Sequence, residues 1–236
     1  MSTPRPKAIG WIILGVSVTA AIFHLYAAGI SPFTALVQRP VHLALMATLG
    51  FLGVGVQFHQ RSRKTGELDQ ESGPPRIGPL NWVLAGLSVL ACLYLASENQ
   101  ELVSRSGNPT PLDLVAGGVM VVLVLELARR ATGWGLVTVC IMALAYAFSG
   151  PYLPGFLAHR GYGPTRIVEQ LFLSTEGIWG VPLGVSADFV YLFVLFGVVL
   201  DTAGGGALLI ALANKVAGRT RGGPAKTAAV ASAFMG

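Results

Sequence analysis

Polar side chains inside long apolar runs are where chemistry would sit in this sequence, because an ionisable group in such a run is costly to keep without a role. His24 and His42 fall near corresponding ends of two neighbouring apolar runs. Two imidazoles at similar depth on adjacent helices could ligate a haem in a helical bundle. No second pair accompanies them, and one interfacial histidine per helix is the simpler account. Glu126 precedes Arg130 by one helical turn, a spacing that predicts an ion pair on one helix face. Asp188 and Asp201 stand towards the two ends of another apolar run. Either could touch a conduction path, and interfacial water explains both without one. Cys92 and Cys140 lie within apolar runs and read as small core residues rather than a disulfide or metal pair. An intramembrane protease would need a Ser/His or paired-Asp constellation deep in the bundle, and the sequence offers none. It also lacks the GxxxxGK[ST] loop of an ATPase. The expectation is a protein that is not an enzyme and carries no organic or metal cofactor.

Those side chains need elements to hold them, and composition says of what kind. The chain is 53% hydrophobic and only 11% charged, against about a quarter charged in a soluble domain, so it is built for lipid. Its net charge of +5 matters less than where the charges lie, and it does not point to a nucleic-acid partner. Arg5 and Lys7 precede an apolar run over 8–28 that exceeds the roughly 7–15 residues of a signal-peptide core. It reads as a first transmembrane helix starting in the cytoplasm.

Apolar length predicts an all-α membrane protein with about six transmembrane helices, at 8–29, 40–58, 80–96, 112–128, 134–150 and 183–201. A polar loop over 59–79, containing Gly73, Pro74 and Pro75, reads as a solvated linker. With the N-terminus inside, twelve of the sixteen Lys and Arg residues fall on the cytoplasmic side, and Arg39, Arg105, Arg160 and Arg166 fall outside. That bias fits the positive-inside rule. Gly50, Gly53 and Gly55 have the small-residue spacing of close helix packing. The connection over 151–181, with a short helix expected at 164–174 and Tyr162 and Trp179 at the interface, is the largest outer piece. It reads equally as a docking surface or as a cover for helix ends.

After the sixth span come Gly204, Gly205 and Gly206, then an amphipathic segment at 207–217. At about 11 residues and ~17 Å as a helix it is too short to cross a bilayer, and a crossing there would erase the charge bias. It is expected to lie in the cytoplasmic interface. A basic glycine turn follows, with Arg219, Arg221 and then Lys226 on the cytoplasmic side. Pro224 opens a final apolar run, a favourable place for a proline. Crossing takes about 20 residues and thirteen follow Gly223. The small-residue stretch 228–236 therefore reads as the first limb of a re-entrant hairpin, completed by chain that continues or by another polypeptide. Broken helices at membrane depth are tolerated where they line a site, which makes Ser232, Met235 and Gly236 candidates for the approach to an ion and substrate site.

The stretch Ser174–Ala187 (STEGIWGVPLGVSA), followed by Phe193–Gly197 (FVLFG), resembles the fused permeases of the tripartite ATP-independent periplasmic (TRAP) transporters. Residues 218–226 (GRTRGGPAK) and 231–236 (ASAFMG) look like that family's lead into its first transport hairpin. The likeness covers about 131–236. Over 1–130 it is one of layout, a four-helix small subunit fused to the large one, as in the branch served by TAXI-type binding proteins. The resemblance implies a small-subunit-like brace over 1–130 and the start of a large-subunit-like transport domain over 131–236. It also implies sodium-coupled import of organic acids such as C4-dicarboxylates, delivered by a periplasmic binding protein, across the bacterial inner membrane. On that view the family's ion and substrate sites lie mostly beyond the first limb, and this stretch of chain would not transport alone. A membrane scaffold or anchor that transports nothing is the alternative.

The interfacial placement of 207–217 is directly testable. A cysteine at Arg219→Cys should stay unlabelled when an impermeant maleimide is added to intact cells and react after permeabilisation. Labelling from outside would refute it.

Overall fold

The computed structural model of the chain describes residues 7–53, 77–104, 107–217 and 232. It divides into two compact units, Met1–Asp188 and Phe189–Gly236. Among the described residues of the first are the long helices α1 (Lys7–Gly29), α2 (Ala35–Phe51), α3 (Pro79–Ser104), α4 (Pro111–Thr132) and α5 (Trp134–Ser149). Short pieces follow: two 3₁₀ turns (Gly150–Tyr152, Gly155–Leu157), α6 (Pro164–Val168) with a π-helical turn (Glu169–Leu173), and α7 (Val181–Val185) with another (Ser186–Val190). No strand occurs among the described residues.

Local chemistry sets several boundaries. Thr110 caps α4 through a reciprocal box. Its hydroxyl accepts from the Asp113 amide at 3.3 Å, and Asp113 accepts from the Thr110 amide at 2.7 Å, satisfying two amides that the helix cannot. Pro111 takes the first helical position, where no N–H is needed. Gly133 ends α4 at φ 87°, a conformation that glycine adopts at little cost, and the same residue precedes the first turn of α5. In α2, Pro40 sits inside the helix, so the second predicted span begins earlier than the proline suggested.

Packing follows the apolar faces. α2 makes its most extensive contact with α3 and touches α1, α4 and α7. One buried cluster joins Ala44, Ala91, Cys92, Leu95 and Met120 with Phe172 and Trp179 from the connection after α5. A second joins Ala47, Phe51, Ala85 and Leu123. Gly50 supports the close approach expected of it, since a Cβ there would lie 2.7 Å from Leu127 Cδ1 on α4. Gly55 lies outside the described residues. The Asp113 carboxylate is fully buried, and its other oxygen accepts from the Tyr94 hydroxyl at 2.6 Å, tying α3 to α4.

Large apolar side chains that cover nothing internally, such as Trp11, Ile22, Leu90, Val122, Trp134 and Val139, face outwards. In water such a surface would be a liability, and in a bilayer it meets solvent of its own kind. Five helical stretches among the described residues are long and apolar enough to cross a membrane: Ile9–Gly29, Pro79–Glu98, Pro111–Thr132, Trp134–Tyr152 and Val181–Thr202. The remaining predicted span, 40–58, coincides in its described part with the 17-residue α2, and 54–58 lie outside the described residues. The protein is an all-α, multi-pass membrane protein.

In the second unit, α8 (Tyr191–Thr202) is followed by Gly204 at φ 82° and by α9 (Gly205–Ala217). The predicted glycine break and the short helix after it are both present. Leu208, Leu212 and Lys215 of α9 are exposed.

Tyr94→Phe leaves Asp113 buried with one donor fewer. A loss of about 1–3 kcal/mol is expected for a buried acceptor deprived of its partner, seen as a lower melting temperature in detergent.

Candidate functional site

Three side chains on the first turns of α2 reach into the segment 179–188. Gln38 Nε2 donates to Asp188 Oδ1 at 2.6 Å. The Arg39 guanidinium donates to the Trp179 carbonyl at 2.5 Å. His42 Nε2 lies 3.1 Å from Ser186 Oγ. Residues 38 and 42 are one turn apart and share a face, with 39 beside them, so the helix presents them together. Gly184 makes room, because a Cβ there would lie 2.8–2.9 Å from the Arg39 guanidinium atoms. His42 is also joined to α1. Its Nδ1 is 2.8 Å from His24 Nε2, and His24 Nδ1 is 2.7 Å from the Ala20 carbonyl. The two rings meet edge to face with centroids 5.0 Å apart.

This arrangement revises several expectations. Arg39, read as lying in the outer connection, is a helical residue with its charge directed at a backbone carbonyl. Asp188, read as explained by interfacial water, accepts from Gln38. Trp179, read as an interface aromatic, is fully buried, because its indole N–H donates to the Phe172 carbonyl at 2.6 Å and its ring packs in the apolar cluster. His24 and His42 direct their facing nitrogens at each other. Among the described residues, no group of three His, Cys, Asp or Glu side chains could hold a metal ion.

A second polar cluster lies near the end of α4. Glu126 accepts two hydrogen bonds from Arg129 (2.7 and 2.8 Å) and one from Arg130 (2.6 Å). The predicted pair with Arg130 is therefore a triad. Arg130 also donates to Asn81 on α3 at 2.9 Å and lies over the Phe51 ring of α2, while Arg129 lies over Trp134. Cations over aromatic rings near a helix end can sit at the membrane boundary with little desolvation.

The connection after α5 has two parts of different character. Over 150–163, Tyr152 and Phe156 are 89% and 95% exposed. The turn is held from within by His159, whose Nε2 lies 3.0 Å from the Tyr146 carbonyl and whose Nδ1 accepts from the Gly161 amide. Over 164–180 the chain runs through α6 and the π-turn, where a short helix was expected, and buries Phe172 and Trp179.

Of the residues proposed from sequence, Arg219, Arg221, Lys226, Met235 and Gly236 lie outside the described residues, and Ser232 is a helical, exposed position. The α2 contacts were not readable, since each joins residues at least 140 positions apart. Gly184→Ala should expel the Arg39 guanidinium and cost about 1–3 kcal/mol, as overpacking does. Arg39→Ala should remove the same contact, so a double-mutant cycle of melting temperatures should show strong non-additivity. Independent, additive losses would contradict the contact.

The chain matches the family model described as "Tripartite ATP-independent periplasmic transporter, DctM component" over residues 119–236. That is half of the chain, from the middle of α4 onwards. No curated protein and no solved structure matches it. The matched region holds Trp179, Gly184, Ser186 and Asp188, the residues that α2 grips from outside the match. Together with the apolar helices, the match shows that the chain belongs to the DctM family of TRAP transporters and is a membrane permease component.

Proposed function

We infer that the chain is the permease part of a sodium-coupled secondary transporter that imports organic acids of the C4-dicarboxylate kind. A periplasmic solute-binding protein, of the TAXI type in a fused permease of this layout, delivers the acid. The observation that carries this reading is the family match over 119–236. The cytoplasmic bias of Lys and Arg supports an inner-membrane protein with its N-terminus inside. Residues 1–130 act as a brace and residues from 131 begin the transport domain. Arg219, Arg221 and Lys226 hold the cytoplasmic turn, and Ser232, Met235 and Gly236 approach the ion and substrate site. The small residues Ser232 and Gly236 suit that place, because a broken helix offers its backbone to ions only where side chains leave room.

Proteoliposomes holding the assembled transporter, with its solute-binding protein added, test the reading with labelled succinate and labelled sialic acid as probes. Uptake should require both the binding protein and an inward sodium gradient, and should fall to background when choline replaces sodium. Uptake that ignores sodium, or that needs ATP, would overturn the coupling. An absence of uptake for every organic acid tried would favour a scaffold that transports nothing.

A further inference from the structure

We propose that His24, His42 and Ser186 form a buried site for a single proton, built as a hydrogen-bond chain with one direction. The direction follows from donor and acceptor rules alone. A backbone carbonyl can only accept, so His24 Nδ1, 2.7 Å from the Ala20 oxygen, carries a hydrogen. A neutral imidazole has one N–H, so His24 Nε2 presents its lone pair. Across 2.8 Å, His42 Nδ1 must then supply the hydrogen. That leaves His42 Nε2 bare, and it accepts from the Ser186 hydroxyl at 3.1 Å. Every ring nitrogen is satisfied, and the bonds run from Ser186 through His42 and His24 to Ala20.

Such a chain takes up one proton without losing a contact. Its four ring nitrogens carry two hydrogens when neutral. A proton from water adds at His42 Nε2, the Ser186 hydroxyl turns so that its oxygen accepts, and the four nitrogens then carry three. The hydrogen between the rings can sit on either nitrogen, so the two imidazoles share the charge. A second proton would set two N–H groups face to face across 2.8 Å and break the pair. The capacity is therefore one.

His24 and His42 are 1% and 3% exposed, whereas Ser186 is only half-buried, so among the described residues of the site the serine end is the more open one. Of the charged and titratable groups on neighbouring elements, Asp188 stands two residues beyond Ser186 and accepts from Gln38 of α2 at 2.6 Å. Arg39 is turned away onto the Trp179 carbonyl. On α3 and α4, Cys92 is buried in the apolar cluster, and Tyr94 and Asp113 are bonded to each other.

The inference is independent of what the permease carries, and nitrogen NMR of the full chain in lipid nanodiscs, with ¹⁵N-labelled histidine, tests it. At neutral pH both rings should be protonated at Nδ1 and bare at Nε2, with a nitrogen–nitrogen coupling across the inter-ring bond. On acidification the pair should gain one proton, with the coupling retained. Ser186→Ala should keep the coupling and the His42 Nδ1–H form, which His24 fixes, and should shift only the His42 Nε2 resonance, which loses its donor. Either ring found mainly in the Nε2–H form, a missing coupling, or two separate single-proton titrations would overturn the site. The unsubstituted chain decides the matter even if Ser186→Ala fails to fold. A failed transport assay would leave the spectra unaffected, and the reverse also holds.

Discussion

Trp179 is tied at both of its polar ends. Its indole N–H donates to the Phe172 carbonyl, and its own carbonyl receives the Arg39 guanidinium. Between those bonds the ring is fully buried among Ala44, Cys92, Leu95 and Met120. An indole can be enclosed at low cost when its one donor is met, and a bond to a charged donor is stronger than one between neutral groups. The stretch after α5 is thereby pinned to α2, α3 and α4. Without that anchor, Gly184, Ser186 and Asp188 would have no fixed relation to the side chains of α2 that meet them.

The first unit handles polarity by pairing it inside the protein. Asp113 meets Tyr94 and Thr110, Glu126 meets two arginines, Asp188 meets Gln38, and the two histidines meet each other. In hydrocarbon an unmet polar group costs several kcal/mol. Pairing therefore fixes which helix faces turn inwards, while the large apolar side chains are left for lipid. This is an ordering principle different from that of a soluble core, where the apolar side chains themselves choose the inside.

Much of this was legible in the sequence because the relevant physics is local. Span lengths follow from hydropathy, the break at Gly204 from glycine chemistry, and the Glu126–Arg130 pair from a one-turn spacing. The family resemblance around 174–187 also stood in the open. What could not be read were pairings between distant positions, such as Gln38 with Asp188, 150 residues apart. Trp179 misled because an amphipathic ring suits either a membrane interface or a core with one acceptor, and only the Phe172 carbonyl decides between them. Arg39 misled because a cation before Pro40 resembles a helix boundary. The helix in fact begins at Ala35 and carries the proline within it.

Gly133 is the whole connection between α4 and α5, and Arg129 and Trp134 face each other across it. Two spans joined by one residue share a common waterline and cannot slide past each other. A bilayer that thickens or thins must be accommodated by both legs leaning together. The family match begins within the first of these legs, so unmatched and matched chain share one continuous helix, and Gly133 ties the depth of that helix to the span that follows.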